Sequence, residues 1–315
     1  MNQAPSSVLS AEDRDALANL QFLARGVVEG LHAGRHRSPH KGASIQFKEH
    51  RAYVRGDEIR SIDWKLFGKT DRLYIRQYED ETSLRCMILL DQSGSMAYQG
   101  KLAPVSKHQF AVRLAACLAT LLVGQQDSVG LATFDTKLNA VLPARGTPKH
   151  LHSLLQMLVQ SRPAAETSLA SVLEQSVPQL KRRGILVLIS DCFDSIDKLL
   201  PALSYFRHTG SEVVVMQVWD RDELEFPFRN RTQFRSLEQA TNQRIVDPIA
   251  IRNAYLKQVA AFQQALSDGC GKARIDLIQC VSDQDYSKLL SSYLASRAGR
   301  GHAKAIDPTV SERRT

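Results

Sequence analysis

A chain of 315 residues with 43% hydrophobic and 23% charged residues has the make-up of a folded soluble protein, with room for one large or two modest domains. No apolar run reaches the roughly 18 residues that span a bilayer, and Glu12, Asp13 and Asp15 stand where a signal peptide would be apolar, so a cytoplasmic protein is expected. The five cysteines form no Cys-x-x-Cys pair, which points to reduced core thiols rather than disulfides or zinc.

The formal charge is +8, and residues 21–55 hold seven Arg or Lys and four His against two Glu. That excess keeps nucleic-acid binding as an alternative, but stacking aromatics are few there and no nucleic-acid motif accompanies it. A solvated basic face, or one that docks on an acidic protein, explains it more simply.

Ser10 and Asp13 resemble a capping box, and Leu17, Leu20, Ala24, Val27, Val28 and Leu31 follow at helical spacing, so the chain opens on an amphipathic helix packed on the body of the protein. His36, His40 and His50 lie in or near a basic loop without the spacing of a metal site. Residues 43–80 mix aromatics and charges, with strands expected around 72–80, turns at Gly56 and Gly68, and Trp64 as a buried packing anchor. Arg55-Gly56-Asp57 spells an integrin-binding tripeptide, but nothing marks the chain as secreted and that reading is set aside.

The organising stretch runs from Leu84 to Met96. Its apolar first half suits a strand buried on both faces of a parallel sheet, and it ends at Asp91, followed by Ser93 and Ser95 around a glycine. Open α/β sheets bind ligands beyond the carboxyl ends of their strands. One carboxylate with two neutral hydroxyls there makes a hard, all-oxygen, weakly charged site suited to Mg²⁺. A helix cap with a serine turn is the simpler reading of the same residues.

Beyond it, a helix is expected over 104–123, two strands over 128–134 and 138–142 joined at Asp135-Thr136-Lys137, and a helix opened by Thr147-Pro148. Another helix should run from Thr167 to about Arg183, and a second buried strand, Gly184 to Ser190, ends at Asp191. A helix over 195–208, a strand over 213–218, a turn-rich stretch from Asp220 to Arg235, a helix from Asp247-Pro248 to Ala265, a strand over 275–280 and a helix over 286–297 complete the alternation. The tail from Ala298 is polar, basic and expected to be disordered.

Asp91-x-Ser93-x-Ser95 after a buried strand resembles the metal-ion-dependent adhesion site of the von Willebrand factor A fold. The resemblance implies a Thr on a later loop and an Asp after a later strand; Thr167 and Asp191 match in order and kind. It covers about residues 82–297 and implies an α/β, doubly wound, mostly parallel sheet. The expected organisation is therefore an N-terminal helix, basic loop and β-rich extension over 1–81, the A-like domain over 82–297, and a tail over 298–315.

A narrower resemblance joins Tyr53, Gly56-Asp57, Arg60, Ile62-Asp63-Trp64 and Tyr78-Glu79 with Asp222-Glu223-Leu224-Glu225-Phe226-Pro227 and Asp247-Pro248…Ile251-Arg252…Tyr255. Together they look like the bacterial family called domain of unknown function 58. That resemblance implies a non-enzymatic partner of MoxR-type AAA+ ATPases, aiding assembly or metal insertion in other proteins. Mg²⁺ held by Asp91, Ser93, Ser95, Thr167 and Asp191 would leave a position for an acidic residue of that ATPase or its client. A metal-dependent hydrolase or phosphotransferase is the alternative, although Ser93 stands where the haloacid-dehalogenase type needs a second carboxylate and no Gly-x-x-x-x-Gly-Lys loop is present.

Overall fold

The computed structural model describes residues 10–34, 49–54, 62, 64–77, 84–163, 169, 172–173, 184–237 and 243–303. The chain divides into two compact units, Met1–Arg35 with Leu84–Thr315, and His36–Ser83. This differs from the division expected at residue 81, because the first helix, α1 (Ala11–Gly34), belongs to the larger unit.

In the smaller unit, strands β1 (Glu49–Ala52) and β2 (Tyr74–Gln77) pair antiparallel, and helix α2 (Trp64–Thr70) lies between them in sequence. Two expectations fail here. Gly68 lies inside α2 rather than in a turn. Trp64 is 59% exposed, its ring meeting Phe67 edge to face, so it is not a buried anchor.

The larger unit is built on a six-stranded sheet. Its strands are β3 (Arg85–Asp91), β4 (Ser128–Phe134), β5 (Leu138–Arg145), β6 (Ile185–Ser190), β7 (Glu212–Trp219) and β10 (Asp276–Val281), and their order across the sheet is β10-β7-β6-β3-β4-β5. All neighbours run parallel except β4 and β5, which form the hairpin expected around Asp135-Thr136-Lys137. The sheet is α/β and mostly parallel, as its buried apolar strands imply. Along β3 and β6 the side chains alternate between two cores, Cys86, Ile88, Leu90, Val187 and Ile189 on one face and Met87, Leu89, Leu186 and Leu188 on the other.

Helices α1, α3 (Lys107–Gly124), α4 (Pro148–Gln160) and α8 (Tyr286–Ala303) supply the first core. Helices α5 (Ile196–His208) and α7 (Pro248–Ala273), with Leu169, Val172 and Leu173, supply the second. Where α7 approaches α5, the Leu200 side chain fills the space a Cβ at Gly269 would take, 2.1 Å away. Helix α8 runs to Ala303, past the expected end at 297. The turn-rich stretch from Asp220 resolves into the short helix α6 (Arg221–Glu225) and strand β8 (Thr232–Arg235), paired antiparallel with β9 (Gln243–Val246). Among the described residues no helix is long and apolar enough to cross a membrane, and all five cysteines are buried and free.

Helix α1 places Leu17, Leu20, Ala24, Val28 and Leu31 in the first core and is pinned by Asp13–Arg162 and Gln21–His152 contacts. Leu17→Ala should therefore cost about 2–4 kcal/mol in urea unfolding, whereas Phe22→Ala, at a position 82% exposed on the same helix, should change stability by less than about 0.5 kcal/mol. Equal effects would detach α1 from the core.

Candidate functional site

The order of the strands fixes where a site can form. From β3 the chain moves outward through β4 to β5, then returns to the other side of β3 as β6. The direction of winding reverses between β3 and β6, and at such a switch point the connections leave in opposite directions and open a crevice at the carboxyl ends. Asp91 is the last residue of β3 and Asp191 follows the last residue of β6.

Asp91 is almost fully buried, at 1% exposed. Its Oδ1 accepts from the Ser93 N–H at 2.8 Å and its Oδ2 from the Ser190 hydroxyl at 2.5 Å. Ser93 and Ser95 turn their hydroxyls toward each other, 3.0 Å apart, at the start of a 3-10 turn over Gly94–Ala97. Ser93 is buried and makes no side-chain cap to that turn; its hydroxyl is engaged by Ser95 and Asp91. The turn expected in the simpler reading is present, since Asp91 accepts the N–H two residues on; the Ser93 and Ser95 hydroxyls pair with each other beside it. Burial, and after it the negative charge of Asp191, push the Asp91 carboxyl up to about 7, against the hydrogen bonds from Ser190 and Ser93.

Asp191 accepts the Phe193 N–H on Oδ1 at 3.1 Å, while Oδ2 takes the ammonium of Lys107 at 2.9 Å. Lys107 is fully buried and donates as well to Glu223 Oε1 at 2.7 Å, with its Nζ 4.9 Å from the centre of the Phe193 ring. Burial alone would lower this ammonium's pKa, but the two carboxylates outweigh it and hold it above the usual lysine range. Glu223 is pushed up by burial, against the pull of Lys107.

Glu223 has a second task. Its Oε2 accepts the Asp220 N–H at 2.8 Å, while Asp220 Oδ1 accepts from the Asp222 N–H, a capping box that starts α6. Asp220 Oδ2 also takes the Gly100 N–H at 2.9 Å and the Ser282 hydroxyl, and Tyr98 donates to Asp222. A Cβ at Gly100 would lie 2.3 Å from Asp220 Oδ1, so only glycine admits this approach. From the other side, Tyr255 donates to the Glu223 carbonyl and Arg252 to the carbonyls of Glu225 and Phe226. The loops after β3, β6 and β7 are thus one hydrogen-bonded assembly.

Of the residues singled out in the sequence, Asp91, Ser93, Ser95 and Asp191 come to adjacent strand ends; Thr167 lies outside the described residues. Lys107 was missed, although a signal existed: a lysine in the first turn of a helix sits at the unfavourable end of the helix dipole, which asks for a local anion. Asp220-x-x-Glu223 was likewise a readable capping signal.

A second polar chain leaves the crevice through Gln92. Its Nε2 donates to the Ser161 hydroxyl at 2.8 Å, which pairs with His108 Nε2 at 2.8 Å, and its Oε1 accepts from Asn139. Ser161, His108 and Arg162 also line a cleft of about 590 Å³ between α1, α3 and the end of α4. Burial first, then the charge of Arg162, lower the His108 pKa to about 4. The unfolded chain takes up this proton below about pH 6.5 while the fold excludes it to about 4, so stability is lost as pH falls through that window. The loss between pH 7 and 4.5 should be roughly 2–3 kcal/mol, and His108→Gln should remove that part of the slope in urea titrations at the two pH values. An unchanged slope would mean that His108 is charged in the fold.

Residues 49–265 match the family described as "Protein of unknown function DUF58". An uncharacterised protein of Mycobacterium tuberculosis is 25% identical over 307 residues, spanning 93% of this chain and 94% of the relative. Among solved structures, the chain is similar to BatB from Bacteroides thetaiotaomicron, with a TM-score of 0.45 and 17% identity over 69% of this chain and 99% of that one. It is also similar to the VWA domain of SpRpn10, with a TM-score of 0.40 and 11% identity over 66% of this chain and 94% of that one.

Proposed function

The chain belongs to the DUF58 family, and from that premise we propose that it is a non-enzymatic, divalent-cation-dependent protein-binding module. The observation that carries this reading is the convergence of Asp91, Ser93 and Ser95 beside Asp191 at the switch point.

The donors suit a hard cation. Two oxygens in adjacent positions of an octahedral Mg²⁺ shell, each at about 2.1 Å from the ion, are about 3 Å apart, and the Ser93 and Ser95 hydroxyls are 3.0 Å apart. The Asp91 carboxylate accepts from the Ser190 hydroxyl and from the backbone and side chain of Ser93, and its two oxygens offer about four lone-pair sites in all. Burial and, after it, the charge of Asp191 disfavour the Asp91 carboxylate, and a bound cation would offset both. Asp91, Ser93 and Ser95 would hold the ion, with Asp191 alongside and Thr167 as the further ligand implied by the A-type motif.

When bound, the ion would supply a hard positive centre with a coordination position for a carboxylate. The protein's own contribution is rigidity. Asp91 is fixed by two hydrogen bonds and Asp191 by the Phe193 N–H and Lys107, so little ordering remains to oppose binding. Phe193, 44% exposed on the loop after β6 and in contact with Lys107, offers apolar area beside the charge. We take the partner to be a MoxR-type AAA+ ATPase, or its client, presenting an acidic side chain.

Mg²⁺ at about ten times its Kd should stabilise the protein by about 1.4 kcal/mol, and Asp91→Ala should abolish that gain. Binding to the ATPase, measured by calorimetry, should fall in EDTA and in Ser93→Ala. Undiminished binding in EDTA would place the interface elsewhere, with the basic segment of residues 21–55 tested next.

A further inference from the structure

Lys107 is held from three directions, by Asp191, by Glu223 and by the face of Phe193. Two of the ammonium's three donors go to the carboxylates, and its charge lies over the ring. Its backbone N–H is bonded to the Tyr98 carbonyl at 3.0 Å, so the residue is anchored at both ends. Nothing about this arrangement is needed to start α3, because Ser106 and Gln109 already form the capping box of that helix. What the lysine does is carry a positive charge to the carboxylate that the metal reading places beside the ion.

We propose that Lys107 is a resident cation of the crevice, competing with a divalent ion for Asp191 and so setting the affinity of the site. The proposal rests on the metal reading above and adds the residue that tunes it. A carboxylate oxygen that already accepts an ammonium at 2.9 Å is a weaker ligand for a second cation, and the ammonium repels that cation directly. Glu223 moderates the effect by drawing Lys107 toward itself at 2.7 Å. Since Glu223 also accepts the Asp220 N–H in the α6 cap, the strength of the Lys107–Asp191 contact is coupled to the position of the 220–226 segment. A partner that moved this segment would change how firmly the crevice holds its ion.

The charge count allows a clean test. Lys107, Asp191 and Glu223 together carry one net negative charge, and the double variant Lys107→Met with Glu223→Gln leaves Asp191 alone with the same net charge. The amide oxygen introduced by Glu223→Gln can still accept the Asp220 N–H, since glutamine serves as well as glutamate at this position of a capping box. A change in affinity would then report where the positive charge sits rather than how much charge is present. In calorimetric titrations of the full chain with MgCl₂, the double variant should bind about tenfold more tightly than the wild type, consistent with the loss of a nearby like charge. Glu223→Gln alone should bind severalfold more weakly, because Lys107 then serves Asp191 only.

If the double variant does not fold, the single one decides, and wild-type affinity in it would overturn the proposal. Folded variants that both bind Mg²⁺ with wild-type affinity would refute the role of Lys107 and leave the metal reading standing. Binding by the double variant when the wild type shows none would support Lys107 as the group that holds the crevice shut. No binding by any of the three would overturn the metal reading, and this proposal with it.

Discussion

A fully buried ammonium is tolerable only where carboxylates surround it, and most of the site's geometry follows from meeting that demand at Lys107. Asp191 must turn one oxygen inward to receive it, which leaves the other to accept the Phe193 N–H and fixes the side chain. Glu223 must reach it from α6, which holds that short helix against the loop carrying Tyr98 and Gly100. Removing one partner of such a buried pair typically costs about 3–5 kcal/mol, by the general behaviour of unpaired buried charges, roughly as much as a large core truncation. Breaking this one pair should therefore disturb the fold about as much as one large truncation in the cores beneath it.

The cores and the crevice are linked by strand register. Strand β3 ends at Asp91 and separates β6 from β4. Its buried residues Leu89 and Leu90 face opposite cores, so neither can shift without disturbing a packed layer. Asp91 is held at the strand end by this packing and by the Ser190 hydroxyl of the adjacent strand. A shift of one residue would carry Leu90 to the other face and remove Asp91 from Ser190.

Much of this was legible in the sequence. Strands β3, β4, β6 and β7 stand out as short apolar runs, and α4 by its Thr147-Pro148 start, because buried parallel strands and capped helices leave strong local signals. The Asp91, Ser93, Ser95 and Asp191 positions were legible because strand ends are predictable places for polar groups. Trp64 misled because a large aromatic in a mixed segment looks like core, and nothing local says that it stays 59% exposed. Gly68 misled because a lone glycine reads as a turn where tertiary context allows a helix. Lys107 and Glu223 lie 116 residues apart; their pairing is tertiary, and a single sequence carries only the faint hint of a cation at the wrong end of a helix.

The central claim is that the oxygens at the ends of β3 and β6 form one cation site. Anomalous diffraction from crystals soaked in Mn²⁺, which shares the oxygen preference of Mg²⁺, tests it most directly. A peak within coordination distance of the Asp91 carboxylate and the Ser93 and Ser95 hydroxyls is the predicted result. Ordered crystals that show Mn²⁺ elsewhere on the surface and none in this crevice would contradict it.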